Sequence, residues 1–448
     1  MDIPEKLSIA GLARAYAAGE TTPRDVVAAI IERTAVQADN PIWITSPSAE
    51  LAEPYLQRLD GTKPSAEKPL WGIPFAVKDN IDVAGMQTTA ACPAYAYRPE
   101  TSATAVERLV QAGAIPVGKT NLDQFATGLV GVRSPYGEVR NALRPELISG
   151  GSSSGSAVAV ARGLAAFSLG TDTAGSGRVP AALNNLVGFK PALGAWSTAG
   201  VVPACASLDC VTVFAHSLED ATAVDRVVRG YDEACIWSQH RRRARSRMPR
   251  RVLVPADEPT FYGDFADRYR AGWERALARI DELAQGGAIE VGRMDCTYLN
   301  EAASALYDGP WVAERWCDLG EFVESHPGAT FPVTEGILRS GAREGLSAEA
   351  LFTTMHFLQE CRHRAARELA DAVLVMPTCG GTFARAQVDE DPVATNSQMG
   401  LYTNHCNLCD LAAIAVPGDE VRDGLPFGVT AFSLATQEHL LFGFANAL

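Results

Sequence analysis

The chain has 448 residues, 47% of them hydrophobic and 21% charged, with 39 Lys and Arg against 53 Asp and Glu for a formal net charge of -14. That is ample apolar material for a core, and it excludes wholesale disorder and collagen-like repeats. The acidic balance argues against a protein that tracks nucleic-acid phosphates, so no nucleic-acid partner is expected.

The opening MDIPEKLSIAGLARAYAAGE lacks the basic head, apolar core and cleavage site of an export signal. Thr22-Pro23 reads as a cap with proline at the first helical position, and Val26, Val27, Ile30 and Ile31 supply one apolar stripe. Gly72 to Val77, inside WGIPFAVKDN, reads as a buried strand with Lys78 at its end. A capped helix is expected from near Thr101 or Ser102, with Val106, Leu109 and Val110 facing inward and Gly113 at its stop. AIPVG then reads as a short buried strand. Helix followed by buried strand, repeated, is the rhythm of a mixed or parallel sheet covered by helices.

From Ser149 to Gly200 the composition shifts to Gly, Ser, Ala and Thr with few charges, the kind of segment that handles oxyanions and nucleophiles. Its longest small-apolar run, SAVAVARGLAAFSLG, is broken by Arg162 and too short to span a bilayer, so no membrane association is expected. The basic stretch RRRARSRMPRR, 241–251, reads as a solvated connector. Helical segments follow to about Glu368, then a strand in AVLVMPT and a last strand and helix in PFGVTAF and EHLLFGFANAL. Ten scattered cysteines predict reduced, mostly buried thiols in a cytoplasmic protein. Cys406 and Cys409 form a lone CxxC in NHCNLCDLAAIAV, which reads as a helix feeding an apolar run, without a second pair at zinc spacing.

Two motifs are decoys. Gly113-Ala-Ile-Pro-Val-Gly118-Lys119-Thr120 spells a Walker A loop, but Pro116 has no N–H for phosphate and the preceding segment is a helix. Gly151-Ser152-Ser153-Ser154-Gly155 spells a nucleophile elbow, which would make Ser153 the nucleophile and require a later histidine such as His405 or His439. Its run-in, NALRPELISG, is charged and broken by proline where an elbow needs an apolar strand.

Three blocks fit together better: Lys78 in WGIPFAVKDN, Ser152 in SGGSSSGSAVAVARG, and Ser176 in Asp172-Thr-Ala-Gly-Ser-Gly-Arg178. In this order and spacing they resemble the amidase signature family, from about residue 5 to 445. The resemblance implies an α/β fold, a central twisted mixed sheet covered by helices on both faces. It also implies amide hydrolysis by Lys78, Ser152 and Ser176, with the peptide bond at Ser152 cis. The residue types suit that chemistry: a nucleophile, a base to take its proton, and donors for the carbonyl oxygen. Ser176 lies among small residues, and the N–H groups of Thr173, Ala174, Gly175 and Ser176 are candidates for an oxyanion nest. An ordinary lysine is protonated at pH 7, so Lys78 needs desolvation to serve as base. Asp172 and Arg178 are expected to support the loop, Ser153 to be a secondary donor, and Gly128, in DQFATGLVGVRSP, to line the substrate amide.

Common family members read D-T-G-G-S-I-R; the Ala174 and Gly177 variant resembles the branch that hydrolyses allophanate, the carboxylated urea. In LYDGPWVAERW, Tyr307 and Arg315 fall where that branch holds its substrate, and a guanidinium matches a planar carboxylate. An Arg315 pairing with Glu314 or Asp318 on its own helix is the competing expectation. The resemblance further implies a small-molecule substrate, no metal or other cofactor, and a homodimer; members of that branch often carry a further C-terminal domain, and its absence here is the expected departure from the pattern. The chain is expected to be one unit, 1–448: a catalytic core 1–230, a helical lobe over the site at about 231–370, and a return to the sheet at 371–448. Rival readings are another amidase of the family (malonamate, carboxybiuret or glutamine), a Ser-His-Asp hydrolase, and a non-catalytic binding subunit.

Overall fold

In the computed structural model of the protein, residues 4–448 are described. Eleven strands form one sheet: β1 (Trp43–Thr45), β2 (Pro74–Lys78), β3 (Ile115–Thr120), β4 (Phe167–Asp172), β5 (Val187–Lys190), β6 (Cys210–Ala215), β7 (Arg251–Pro255), β8 (Glu290–Met294), β9 (Ala372–Pro377), β10 (Leu411–Pro417) and β11 (Gly428–Leu434). Their order is β1-β3-β2-β4-β6-β5-β10-β11-β9-β7-β8. β2 runs parallel to β3 and β4, and β7 runs parallel to β8 and β9, while the strands between these two groups pair antiparallel. The sheet is therefore mixed, as expected.

Each parallel pair is joined through helices. Thr104–Gln111 connects β2 to β3, and Ser154–Ala161 connects β3 to β4. Ala266–Gln285 connects β7 to β8. Strands β2 to β6 are buried along their whole length; β2 and β3 are legible from their apolar runs, whereas β4 carries Ser168, Thr171 and Asp172 and is not. Phe75 of β2 and Phe167 of β4 stack at 5.2 Å, tying together the two strands whose ends carry Lys78 and Asp172. The Ser154–Ala161 helix is apolar on every side and buried from Ser154 to Val160, so it is a core helix, not a surface one.

The first helices follow their sequence signals. Thr22 caps Pro23–Val36, and Asp25 returns a bond to the Thr22 N–H to complete a capping box. The helix expected near Thr101 or Ser102 begins instead at Thr104, because the Ser102 hydroxyl accepts from the N–H of Ala84 rather than from its own first turn. The region 231–370 is not wholly helical. It contributes β7 and β8 to the sheet, and only its later helices, Thr297–Ser304, Val312–Ser325, Pro332–Ser340 and Ala348–Glu368, form a helical layer. The basic stretch is a connector without regular structure up to Arg250, held by Arg241–Asp410, Arg243–Asp225 and Arg247–Asp371 pairs. Among the described residues no helix is long and apolar enough to cross a membrane, and all ten cysteines are free.

Candidate active site

The site is assembled at the C-terminal ends of two neighbouring parallel strands, the usual place for chemistry in such sheets. β2 ends on Lys78 and β4 on Thr171-Asp172. Lys78 is fully buried, and its ammonium nitrogen donates to the Ser152 hydroxyl at 2.8 Å and to the Thr171 hydroxyl at 2.8 Å. Burial drives its pKa from 10.5 down to about 7, against the opposing pull of Asp123, Asp209 and Asp172. A lysine half neutral at neutral pH is competent to take a proton, which an ordinary lysine is not.

Ser152 lies just before the buried helix, after a cis Gly151–Ser152 bond. Its carbonyl accepts from the N–H of Asp123. Ser153 points elsewhere: its hydroxyl donates to the Thr171 carbonyl at 3.1 Å, so it braces the end of β4. No histidine bonds to Ser153, and His405, buried with its pKa pushed down to about 3 by burial and Arg178, has neither ring nitrogen bonded among the described residues. The elbow reading therefore fails. Lys119 of the Walker-like run sits within β3 and forms a fully buried ion pair with Asp79 at 3.2 Å, so that stretch is a strand and not a phosphate loop.

Beyond β4 the loop from Thr173 turns back on itself. The Asp172 carboxylate accepts two bonds from the Arg178 guanidinium, both at 2.9 Å, and one from the Gly177 N–H at 2.9 Å. Burial pushes the Asp172 carboxyl up, but the Arg178 charge and its bonds outweigh that and hold it below the usual range. Between these anchors the N–H groups of Thr173, Ala174, Gly175 and Ser176 find no acceptor among the described residues. Four consecutive N–H donors on buried residues form a nest suited to a ligand oxygen. Gly175 has φ +145 and a Cβ there would strike Thr403, so only glycine permits this turn. The Ser176 hydroxyl donates to the Gly128 carbonyl at 3.5 Å. Ser152 and Ser176 share no hydrogen bond among the described residues, so the chain of bonds is closed from Lys78 to Ser152 and open from Ser152 to Ser176.

Tyr307 and Arg315 come from the helical layer. Arg315 is 1% exposed, its guanidinium carbon 5.2 Å from the centre of the Tyr307 ring, and its Nη1 donates to the Thr127 hydroxyl at 3.1 Å. The competing expectation of a Glu314 or Asp318 partner is not met. Glu314 instead accepts from the Ser207 N–H at 2.7 Å, the Ser207 hydroxyl at 2.7 Å and the Cys205 thiol at 2.8 Å.

Several contributing residues were not singled out from the sequence. Thr171 shares Lys78 with Ser152, and its place one residue before Asp172 in the motif was the available signal. Asp209 accepts from the Thr173 hydroxyl and the Ala204 N–H, fixing the start of the open loop, and burial raises its pKa to about 6. Asn407, in the CxxC segment, donates to the Asp172 carbonyl at 2.9 Å and the Leu208 carbonyl at 2.8 Å. Asp123 and Arg133, in the segment read for Gly128 alone, are also buried here.

The profile of the amidase family matches residues 25–442, which takes in the whole sheet and every residue of the site described above. The chain belongs to the amidase family. This amidase chain is 42% identical over 416 residues to the urea amidolyase of Saccharomyces cerevisiae, covering 90% of the chain and 22% of that protein. It thus spans about a fifth of that relative's length. It is 34% identical over 487 residues to a component of the glutamyl-tRNA(Gln) amidotransferase of Deinococcus radiodurans, covering 98% of the chain and 96% of that component. A solved allophanate hydrolase of Kluyveromyces lactis superposes with TM-score 0.88 at 37% identity, over 98% of the chain and 72% of that structure.

Proposed function

We propose that this amidase hydrolyses allophanate, with Ser176 as nucleophile, Ser152 as proton relay and Lys78 as base. The observation that carries the amide chemistry is the buried Lys78 amine on the Ser152 hydroxyl at 2.8 Å, its pKa lowered to about 7 by burial. The Ser176 hydroxyl turns from the Gly128 carbonyl toward Ser152, gives up its proton through Ser152 to Lys78, and attacks the terminal urea carbonyl. The developing oxyanion takes the open N–H groups of the 173–176 loop. Ammonia leaves with the proton returned from Lys78, giving a carboxycarbamoyl ester on Ser176. Water, deprotonated by the same relay, then releases N-carboxycarbamate, which decomposes to carbon dioxide and a second ammonia.

Arg315 supports the choice of substrate. A buried guanidinium with no carboxylate partner among the described residues suits the carboxylate of allophanate, with Tyr307 beside it. A substrate of that kind is supplied by urea carboxylation or by cyanurate breakdown. The reading also includes a cytoplasmic homodimer, in keeping with the family resemblance and the ten unpaired cysteines. Residues 1–448 then act as one amidase unit, with the 1–230 part carrying the triad and the later helices closing over it.

Glutamine hydrolysis, as the amidotransferase likeness offers, is the second reading; it needs no cation at the site of Arg315. The test is ammonia release by the purified chain from allophanate, malonamate, biuret and glutamine. Preference for allophanate supports the proposal, and turnover of glutamine alone would replace it.

A further inference from the structure

A second buried arginine shares the surroundings of Arg315. Arg133 is 1% exposed; its Nη1 donates to the Thr127 carbonyl at 3.1 Å and its Nη2 to the Pro392 carbonyl at 2.5 Å. Arg315 reaches the hydroxyl of the same threonine at 3.1 Å, so the two guanidiniums are drawn to one residue from two sides. In both, Nε is buried without a hydrogen-bond partner. Neither makes an ion pair with a carboxylate among the described residues, whereas the equally buried Arg178 does. Arg133 and Tyr307 line one cleft of about 320 Å³, together with Asn396 and Asn404.

Holding two carbonyls requires only neutral donors, and burying a guanidinium for that purpose carries a desolvation cost that nothing in those two bonds repays. A second positive charge close by adds repulsion. The carboxylates that act on the pair through space are already occupied: Asp123 accepts the N–H groups of Gly131 and Arg133, and Asp209 accepts Ala204, Cys205 and Thr173. Two cations with spare donors are explained by an anion that arrives with the substrate.

We infer that Arg133 is a second determinant of anionic substrates, holding jointly with Arg315, beside Tyr307 and Thr127, the carboxylate end of a small linear amide. The inference rests on the carboxylate role given to Arg315 above and extends it to a two-arginine site. Both arginines bond Thr127, and the carbonyl of the adjacent Gly128 accepts from the Ser176 hydroxyl, which links the pair to the nucleophile through two consecutive residues.

The test compares allophanate with biuret, in which a neutral amide replaces the carboxylate. In Arg133→Gln, which retains amide donors for a carbonyl, the ratio of kcat/KM for allophanate to that for biuret falls by about tenfold or more, the worth of one charge-assisted bond. Arg133→Lys, which keeps the charge, recovers part of that ratio. A loss equal on both substrates, with no advantage of Lys over Gln, would reduce Arg133 to a clamp on Thr127 and Pro392 and overturn the inference. Thermal shifts give a readout free of turnover. Malonamate raises Tm more than malonamide does in the unsubstituted protein, and that difference shrinks in Arg133→Gln; an unchanged difference also overturns it. Should the protein hydrolyse neither allophanate nor biuret, the substrate assignment fails while the malonamate and malonamide shifts still decide Arg133.

Discussion

Replacing Lys78 with methionine is expected to stabilise the fold below neutral pH while abolishing turnover. In the folded chain the amine loses its proton near pH 7, whereas in the unfolded chain it holds it to about 10.4. The unfolded state therefore binds more protons throughout that window, so stability rises with pH across it. Below pH 7 the whole penalty of burying the ammonium is present. Taken from 10.5 to about 7, it amounts to about 5 kcal/mol. Methionine removes that penalty and also removes the bonds to Ser152 and Thr171, each worth about 1 kcal/mol. The net gain is about 3 kcal/mol at pH 6, falling with rising pH and reversing above roughly pH 9. Urea unfolding of both proteins at intervals from pH 6 to 10 measures it. A difference that stays flat over that range, or a wild type more stable than the variant at pH 6, would refute the claim that Lys78 is held neutral by burial.

Two further substitutions probe the scaffold. Gly151→Ala places a Cβ against the Asp123 carboxylate and 2.7 Å from the Gly131 nitrogen, so a loss of about 1–3 kcal/mol in chemical unfolding is expected, with activity falling alongside. Asp172→Asn leaves the buried Arg178 charge without its partner and is expected to cost about 3–5 kcal/mol, measured in the same way; near-neutral stability would show that Arg178 is not relying on Asp172.

Where the sequence was readable, one local pattern determined one element. Thr22-Pro23 gave both cap and first turn, and β2 ends on Lys78 because an apolar run stops where the chain meets the site. The three motif blocks were legible for the same reason, since each is a contiguous stretch. What the sequence did not disclose depends on chain segments far apart. Ser102 was lost as a cap to Ala84, Arg315 found Thr127 rather than Glu314, and Glu314 found Ser207. Ser153 reads like its neighbour Ser152 in sequence, yet the turn into the buried helix sends one hydroxyl to Lys78 and the other to the β4 backbone. Likewise β7 and β8 lie in a region read as helical. The β8 pattern is largely exposed, an edge strand that lacks the apolar run by which the central strands announce themselves.

A fluorophosphonate probe addresses the relay itself, because it esterifies only a serine whose proton has somewhere to go. Peptide mapping after labelling should place one adduct, on Ser176. Its rate should climb as pH rises through about 7, the pKa of Lys78, and vanish in Lys78→Met. An adduct on another serine, or labelling of Ser176 that ignores both pH and the loss of the amine, would contradict the proposal that a neutral lysine drives this nucleophile.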